Sequence, residues 1–166
     1  MSERPSYWPL ILWGGGVVAL DQFTKWLIQA NFLLHDSREI IPGFFNLTYV
    51  TNTGAAFGIL AGEQSTLRML FFVAIAVVAL AVIILGWRQL CGEQRLMPHA
   101  LGLIAGGAVG NLIDRVRFGA VVDFLDVYVN NYHWPAFNVA DSAICVGVGL
   151  FLLGSFFSSR SSQNAA

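Results

Sequence analysis

The sequence predicts an all-α integral membrane protein with four transmembrane helices. Composition is the first observation: of 166 residues, 56% are hydrophobic and 11% charged, with a mean hydropathy of +0.64. A soluble domain carries roughly 25% charged residues. Second, four stretches approach the about 20 apolar residues that a spanning helix needs. Third, the polar residues in and beside those stretches sort to one face of the predicted bundle. The length suits one domain, residues 1–166, embedded in a membrane. A formal net charge of −1 gives no nucleic-acid signal, and no nucleic-acid partner is expected.

The first span runs from about residue 8 to 26. A cleaved secretory signal is not expected there, because Glu3 accompanies Arg4 before the apolar run and no small-x-small site follows it. The second, about 69–87, is "MLFFVAIAVVALAVIILGW", apolar all round and expected to face lipid. The third, about 99–113, is shorter and weaker. Its Gly102, Gly106 and Gly110 form a stripe at i, i+4, i+8 that lets another backbone approach closely and sets this helix at the bundle centre. The fourth, about 137–157, is "FNVADSAICVGVGLFLLGSFF". Trp8, Trp26, Trp87 and Trp134 fall near predicted ends, where amphipathic rings favour the headgroup region.

The connections differ in kind. The first, about 31–67, contains "EIIPGFFNLTYVTN" and reads as one or two short strands at the membrane surface. The second, "RQLCGEQRLMP", is short and polar. The third, about 114–136, contains "GAVVDFLDVYVNNYHWP", which is apolar but studded with aspartate. Cys91 and Cys145 form no CxxC or metal-ligand pattern and read as unpaired thiols.

Four spans put both termini on one side and the first and third connections together on the other. Asp21, Lys25, Asn52, Asn111, Asp114, Arg115, Asp123, Asn138 and Asp141 then converge on that second face, and one site at one membrane surface explains them. The arginines are tied, with Arg4, Arg88, Arg95 and Arg160 on the terminal side and Arg38, Arg68, Arg115 and Arg117 on the other. Charge alone leans weakly to termini inside.

Each constellation has a bland and a sharp reading. Asp21 and Lys25 share a helix face, as a simple ion pair or as part of the site. Asn52 with Gly54 in "NTGAAFG" is a turn at a strand end, or Asn52 hydrogen-bonds a ligand's backbone. In "GNLIDR", Arg115 suits a helix C-terminus; Asp114 is its partner, or Arg115 and Asn111 offer donors to a peptide or lipid ester. Asp123 and Asp141 have no basic residue in helical register. Brought together, two carboxylates share a proton, activate a water and protonate a leaving amine. Otherwise they are a cap on the fourth helix and a loop charge. Asp126 reads as solvated or interfacial. His35, His99 and His133 make no HExxH pair, so a metalloprotease is not expected; no GxSxG occurs and Ser142 has no His nearby in sequence, so a serine hydrolase is not expected either. A carboxylate pair needs no metal, and no cofactor is expected.

The motifs "DQFTK", "TNTGAAFG", "GGAVGNLIDR", "GAVVDF" and "PAFNVADS" stand in this order over about residues 8–157. Together they resemble the bacterial lipoprotein signal peptidases (signal peptidase II). The resemblance implies a membrane aspartyl endopeptidase that cleaves diacylglyceryl-modified prolipoproteins N-terminal to the lipidated cysteine. It implies four spans with a small extramembrane β-sheet, or cradle, and a periplasmic loop or helix. It carries catalytic roles onto Asp123 and Asp141, substrate binding onto Asn52, Asn111, Arg115 and Asn138, and supporting roles onto Asp21, Lys25, Gly54 and Asp114. The expected setting is the inner membrane, multi-pass, with cytoplasmic termini and a periplasmic site. The expected partners are prolipoprotein substrates and membrane lipid, and the chain is expected to be a monomer. The alternative is a small transporter or ion-binding protein using Asp21, Asp123 and Asp141. Such sites usually lie near the bilayer midplane, whereas these carboxylates cluster at one surface.

Overall fold

The structure, a computed structural model, describes residues 5–54, 65–92, 94 and 96–163, with side chains through 156. The "AAFG" end of "TNTGAAFG", Glu3, Arg4, Arg95 and the Arg160 side chain lie outside the described residues. Four long helices occur at the four predicted spans: α1 (Trp8–Asn31), α2 (Thr66–Leu85), α4 (Met97–Phe118) and α5 (Val139–Gln163). A short helix α3 (Trp87–Cys91) follows α2 inside a connection read as simply polar. Proline at the start of α1 and of α4 presets helical φ where no intrahelical donor is needed. Gly119, left-handed at φ +75°, ends α4.

Among the described residues, only α2 and the Val139–Phe156 part of α5 are both long and apolar enough to cross a membrane by composition. α1 and α4 have the length, at 24 and 22 residues. Their glycines and buried polar residues account for their lower apolar content.

Helix α4 is the hub of the bundle and packs against α1, α2 and α5. Its glycines explain how. A methyl group added at Gly102 meets the Pro9 carbonyl oxygen at 2.9 Å, and one at Gly106 meets the Gly14 carbonyl oxygen at 2.8 Å. Gly107 faces α5, where a methyl group collides with the Ala140 carbonyl. Backbones therefore touch on both sides of α4, as the small-residue stripe implies. α2 buries only Ile83 and exposes most of its apolar surface.

The first connection folds as β1 (Ser37–Ile41) and β2 (Phe45–Asn52), joined through Gly43 at φ +74°. The third folds as β3 (Val121–Val129) and β4 (Tyr132–His133), which the aspartate-studded sequence did not announce. The strands form one antiparallel sheet in the order β1-β2-β3-β4, packed on the same ends of α1 and α4. The two connections predicted to lie together are thus hydrogen-bonded to each other. Among the described residues no helix accompanies this sheet outside the bundle.

Two expectations fail. Trp87 is fully buried, not interfacial: it stacks on Tyr7 at 5.2 Å and its indole N–H donates to the Pro5 carbonyl. Asp126 is buried rather than solvated, and takes hydrogen bonds from Asn46 (2.8 Å) and His133 (2.9 Å).

Candidate active site

Asp123 and Asp141 reach one place by two routes. β3 starts with four consecutive buried residues, Val121 to Phe124, so Asp123 is 2% exposed. Phe137 then ties the segment before α5 to β3. Its carbonyl accepts the N–H groups of Phe124 and Leu125, and its own N–H donates to the Leu125 carbonyl. Asn138 follows directly and caps α5, its Oδ1 accepting the Asp141 N–H at 2.9 Å. Asp141 therefore sits in the first turn, where the helix dipole favours an anion. The cap itself is Asn138, not the aspartate.

Three amides hold the two carboxylates. Asn138 Nδ2 donates to Asp123 Oδ1 at 2.7 Å, and Asn52 Nδ2 to Asp123 Oδ2 at 3.2 Å. Asn111 Nδ2 donates to Asp141 Oδ1 at 2.7 Å. Asn52 is aimed by a local turn, its Oδ1 accepting the Gly54 N–H at 2.9 Å. Burial, and then the charge of Asp141, push Asp123 up to about 7, against the hydrogen bonds of Asn52 and Asn138 and the charge of Lys25.

A cleft of about 600 Å³ opens at Asp141, with Asn52 and Asn111 also on its wall. Asn52, Asn111, Arg115 and Asp141 form its polar side, and Trp134, Phe137, Ile144 and Val146 are among its apolar walls. Arg115 donates to the Gly54 carbonyl at 2.9 Å and to the Asn111 carbonyl at 3.3 Å, and its guanidinium lies 5.1 Å from the Phe72 ring centroid. It thereby joins α4, the end of β2 and α2.

Asp21, Lys25 and Asp114 meet beneath the site, all buried. Lys25 Nζ lies 2.8 Å from Asp21 and 2.7 Å from Asp114, so Asp114 pairs with Lys25 rather than with the adjacent Arg115. Every site residue expected from the sequence is thus in one connected group. Gln22 was missed. Its Nε2 donates to Asp21 (3.2 Å), to the Gly110 carbonyl (3.2 Å) and to Asp114 (2.9 Å). The signal was present: an amide between Asp21 and Lys25 in an otherwise apolar helix. Among the described residues no cluster of His, Cys, Asp and Glu suits a metal ion.

Fold and site define a class: a mostly helical chain with a small antiparallel sheet and a carboxylate pair where sheet and bundle meet. A family model described as Signal peptidase (SPase) II matches residues 15–157. The chain is 58% identical over 139 residues to the lipoprotein signal peptidase of Syntrophotalea carbinolica, covering 82% of this chain and 84% of that one. To that of Syntrophus aciditrophicus it is 50% identical over 148 residues, covering 87% and 91%. A solved bacterial membrane enzyme, determined by the in meso method, superposes with a TM-score of 0.85 at 36% identity, covering 97% of this chain and 95% of that one. This chain belongs to the signal peptidase II family.

Proposed function

We propose that this chain is a membrane aspartyl endopeptidase that removes signal peptides from diacylglyceryl-modified prolipoproteins, cutting N-terminal to the lipidated cysteine. The observation that carries it is the carboxylate pair: Asp123 on β3 and Asp141 on α5, held by Asn52, Asn111 and Asn138 at a cleft. Family membership and the named relatives supply the substrate class.

In this reading the pair shares one proton, and burial and the charge of Asp141 push Asp123 up to about 7, which favours its holding that proton below neutral pH. The ionised partner takes a proton from water as the water oxygen bonds to the scissile carbonyl carbon. Asp123 gives its proton to the carbonyl oxygen. On collapse the C–N bond breaks, the leaving amine takes the proton that came from water, and one hydroxyl of the diol returns its proton to Asp123, so the pair again holds one. Asn52, Asn111 and Arg115, on the cleft's polar side, hold the peptide, and the apolar walls take its lipid-bearing end. Asn138 supports the pair, while Asp21, Lys25, Gly54 and Asp114 brace it from below and beside.

The chain acts as a monomer and a single domain, residues 1–166. It is multi-pass in the inner membrane, with four spans, cytoplasmic termini and a periplasmic site. The outward apolar surface of α2 supports the membrane setting. Two polar helices, α1 and α4, cross beside α2 and α5 because their polar groups are paired inside the bundle. The transporter reading is not favoured, since the carboxylates lie at one end of the bundle, beside the sheet.

The test is cleavage of a lipidated precursor by purified protein. Asp123→Asn and Asp141→Asn should each lower turnover about a thousandfold or more while the folded protein remains. The double variant should be little worse, because the pair acts as a unit. Chelators should have no effect. Full activity in either single variant, or a loss on chelation that zinc restores, would overturn the aspartyl mechanism.

A further inference from the structure

Lys25 is 2% exposed, on a helix face turned into the bundle. An ammonium has three protons to donate. Here they meet three acceptors: Asp21 Oδ2 at 2.8 Å, Asp114 Oδ2 at 2.7 Å and Asn111 Oδ1 at 3.2 Å. Each acceptor then leads to one of the paired aspartates. Asp21 Oδ1 accepts the N–H of Ala140, the residue before Asp141, at 2.9 Å. Asp114 Oδ2 accepts the N–H of Val122, the residue before Asp123, at 3.1 Å. Asn111 donates to Asp141 itself.

Counting protons shows why the third arm matters. Asn111 delivers an N–H to Asp141 only if its oxygen faces away. Two groups approach that oxygen, Lys25 and Asn138 Nδ2, each at 3.2 Å. Asn138 has two amide protons for three acceptors: Asp123 at 2.7 Å, the Val122 carbonyl at 3.2 Å and Asn111 at 3.2 Å. The short bond to Asp123 takes one. The other is divided between two longer contacts. Lys25 therefore supplies the one undivided donor that fixes the Asn111 amide, and it is charged.

We infer that Lys25 is a positioning residue that sets the relative placement of Asp123 and Asp141, holding the backbone before each of them and aiming the amide that serves Asp141. It acts through Asp21, Asp114 and Asn111 and touches neither aspartate directly. Its charge also acts on Asp123, which is faced by Asp141 of α5 and Arg115 of α4 as well.

The inference rests on the proposed peptidase reading, so the experiment measures both in one preparation. Lys25→Met is compared with wild type on a lipidated precursor, per folded molecule, for kcat, KM and pH dependence, with Asp123→Asn alongside. Lys25→Met should lower kcat about tenfold to a hundredfold with KM within about twofold. Its alkaline limb should move to higher pH, because a cation that favours ionised Asp123 is gone. Lys25→Arg keeps the charge but offers a planar fork in place of three tetrahedral donors. It should lose kcat similarly, and it carries the comparison if Lys25→Met does not accumulate as folded protein. Wild-type kcat and an unmoved limb, with only the folded yield reduced, would overturn the positioning role while an inactive Asp123→Asn leaves the peptidase reading standing. An active Asp123→Asn overturns the reading beneath it.

Discussion

At the scale of single residues, the site is a set of charges and amides whose directions are over-determined. Asp123 shows the consequence for pH. In an unfolded chain its carboxyl ionises near pH 4, while in the fold burial and Asp141 push it up to about 7. The fold therefore holds an extra proton between those values. The associated stability is complete below the unfolded value and is lost as pH rises through about 7. Thermal melting in detergent should show Asp123→Asn gaining on wild type between about pH 5 and about pH 8, by a few kcal/mol. Cleavage should fall over the same upper range, as the shared proton leaves. Equal melting differences at both ends would remove the basis for this assignment. Asp123 and Asp141 were readable in the sequence because each is a carboxylate without a basic neighbour in register. Asp114 was ambiguous there, since adjacency to Arg115 suggested a pair that the helix turns apart. Gln22 was passed over because an amide beside two charges adds little to a polarity count.

At the scale of elements, α4 is held by glycine rather than by interlocking side chains. A methyl group at Gly106 meets both the Gly14 carbonyl oxygen and Val17 Cβ at 2.8 Å, while one at Gly15 meets nothing within 4 Å. Gly106→Ala should therefore destabilise by about 1–3 kcal/mol through overpacking. Gly15→Ala should be neutral, or stabilise by about 0.5–1 kcal/mol as an ordinary helical glycine replacement. Melting temperatures of the two variants check this, and equal shifts would argue against backbone contact between α1 and α4. The four long helices were evident as apolar runs, and β1–β2 as a β-branched and aromatic stretch around Pro42 and Gly43. β3 was not. Its first four residues are all buried, so the alternation that marks a half-exposed strand is absent there, and its aspartates resemble loop residues. Trp87 was misplaced because sequence position gives nearness to a helix end, not which way the ring turns.

At the scale of the whole molecule, the sheet collects the first and third connections at one end of the bundle. That arrangement makes topology testable without any substrate. If the termini are cytoplasmic, as proposed, alkaline phosphatase fused within the third connection should be active and the same fusion at residue 160 inactive. The reverse pattern would put the site on the cytoplasmic face. The pairing of β2 with β3 also constrains any topology, because strands that hydrogen-bond to each other cannot lie on opposite sides of a membrane.

The glycine seam between α1 and α4 has one more consequence, in entropy. Interlocked side chains lose rotamer freedom when they pack, about 0.5–1 kcal/mol for each leucine or isoleucine. Glycine has no rotamers to lose. Where Gly102 and Gly106 meet the Pro9 and Gly14 carbonyl oxygens, α4 comes into contact with α1 without that loss on its own side. Asp21 and Lys25 lie about two and about three turns beyond Gly14 along α1, beside Asn111 and Asp114 of α4. The alignment on which their hydrogen bonds depend is set by main chain against main chain, the least adjustable part of the molecule.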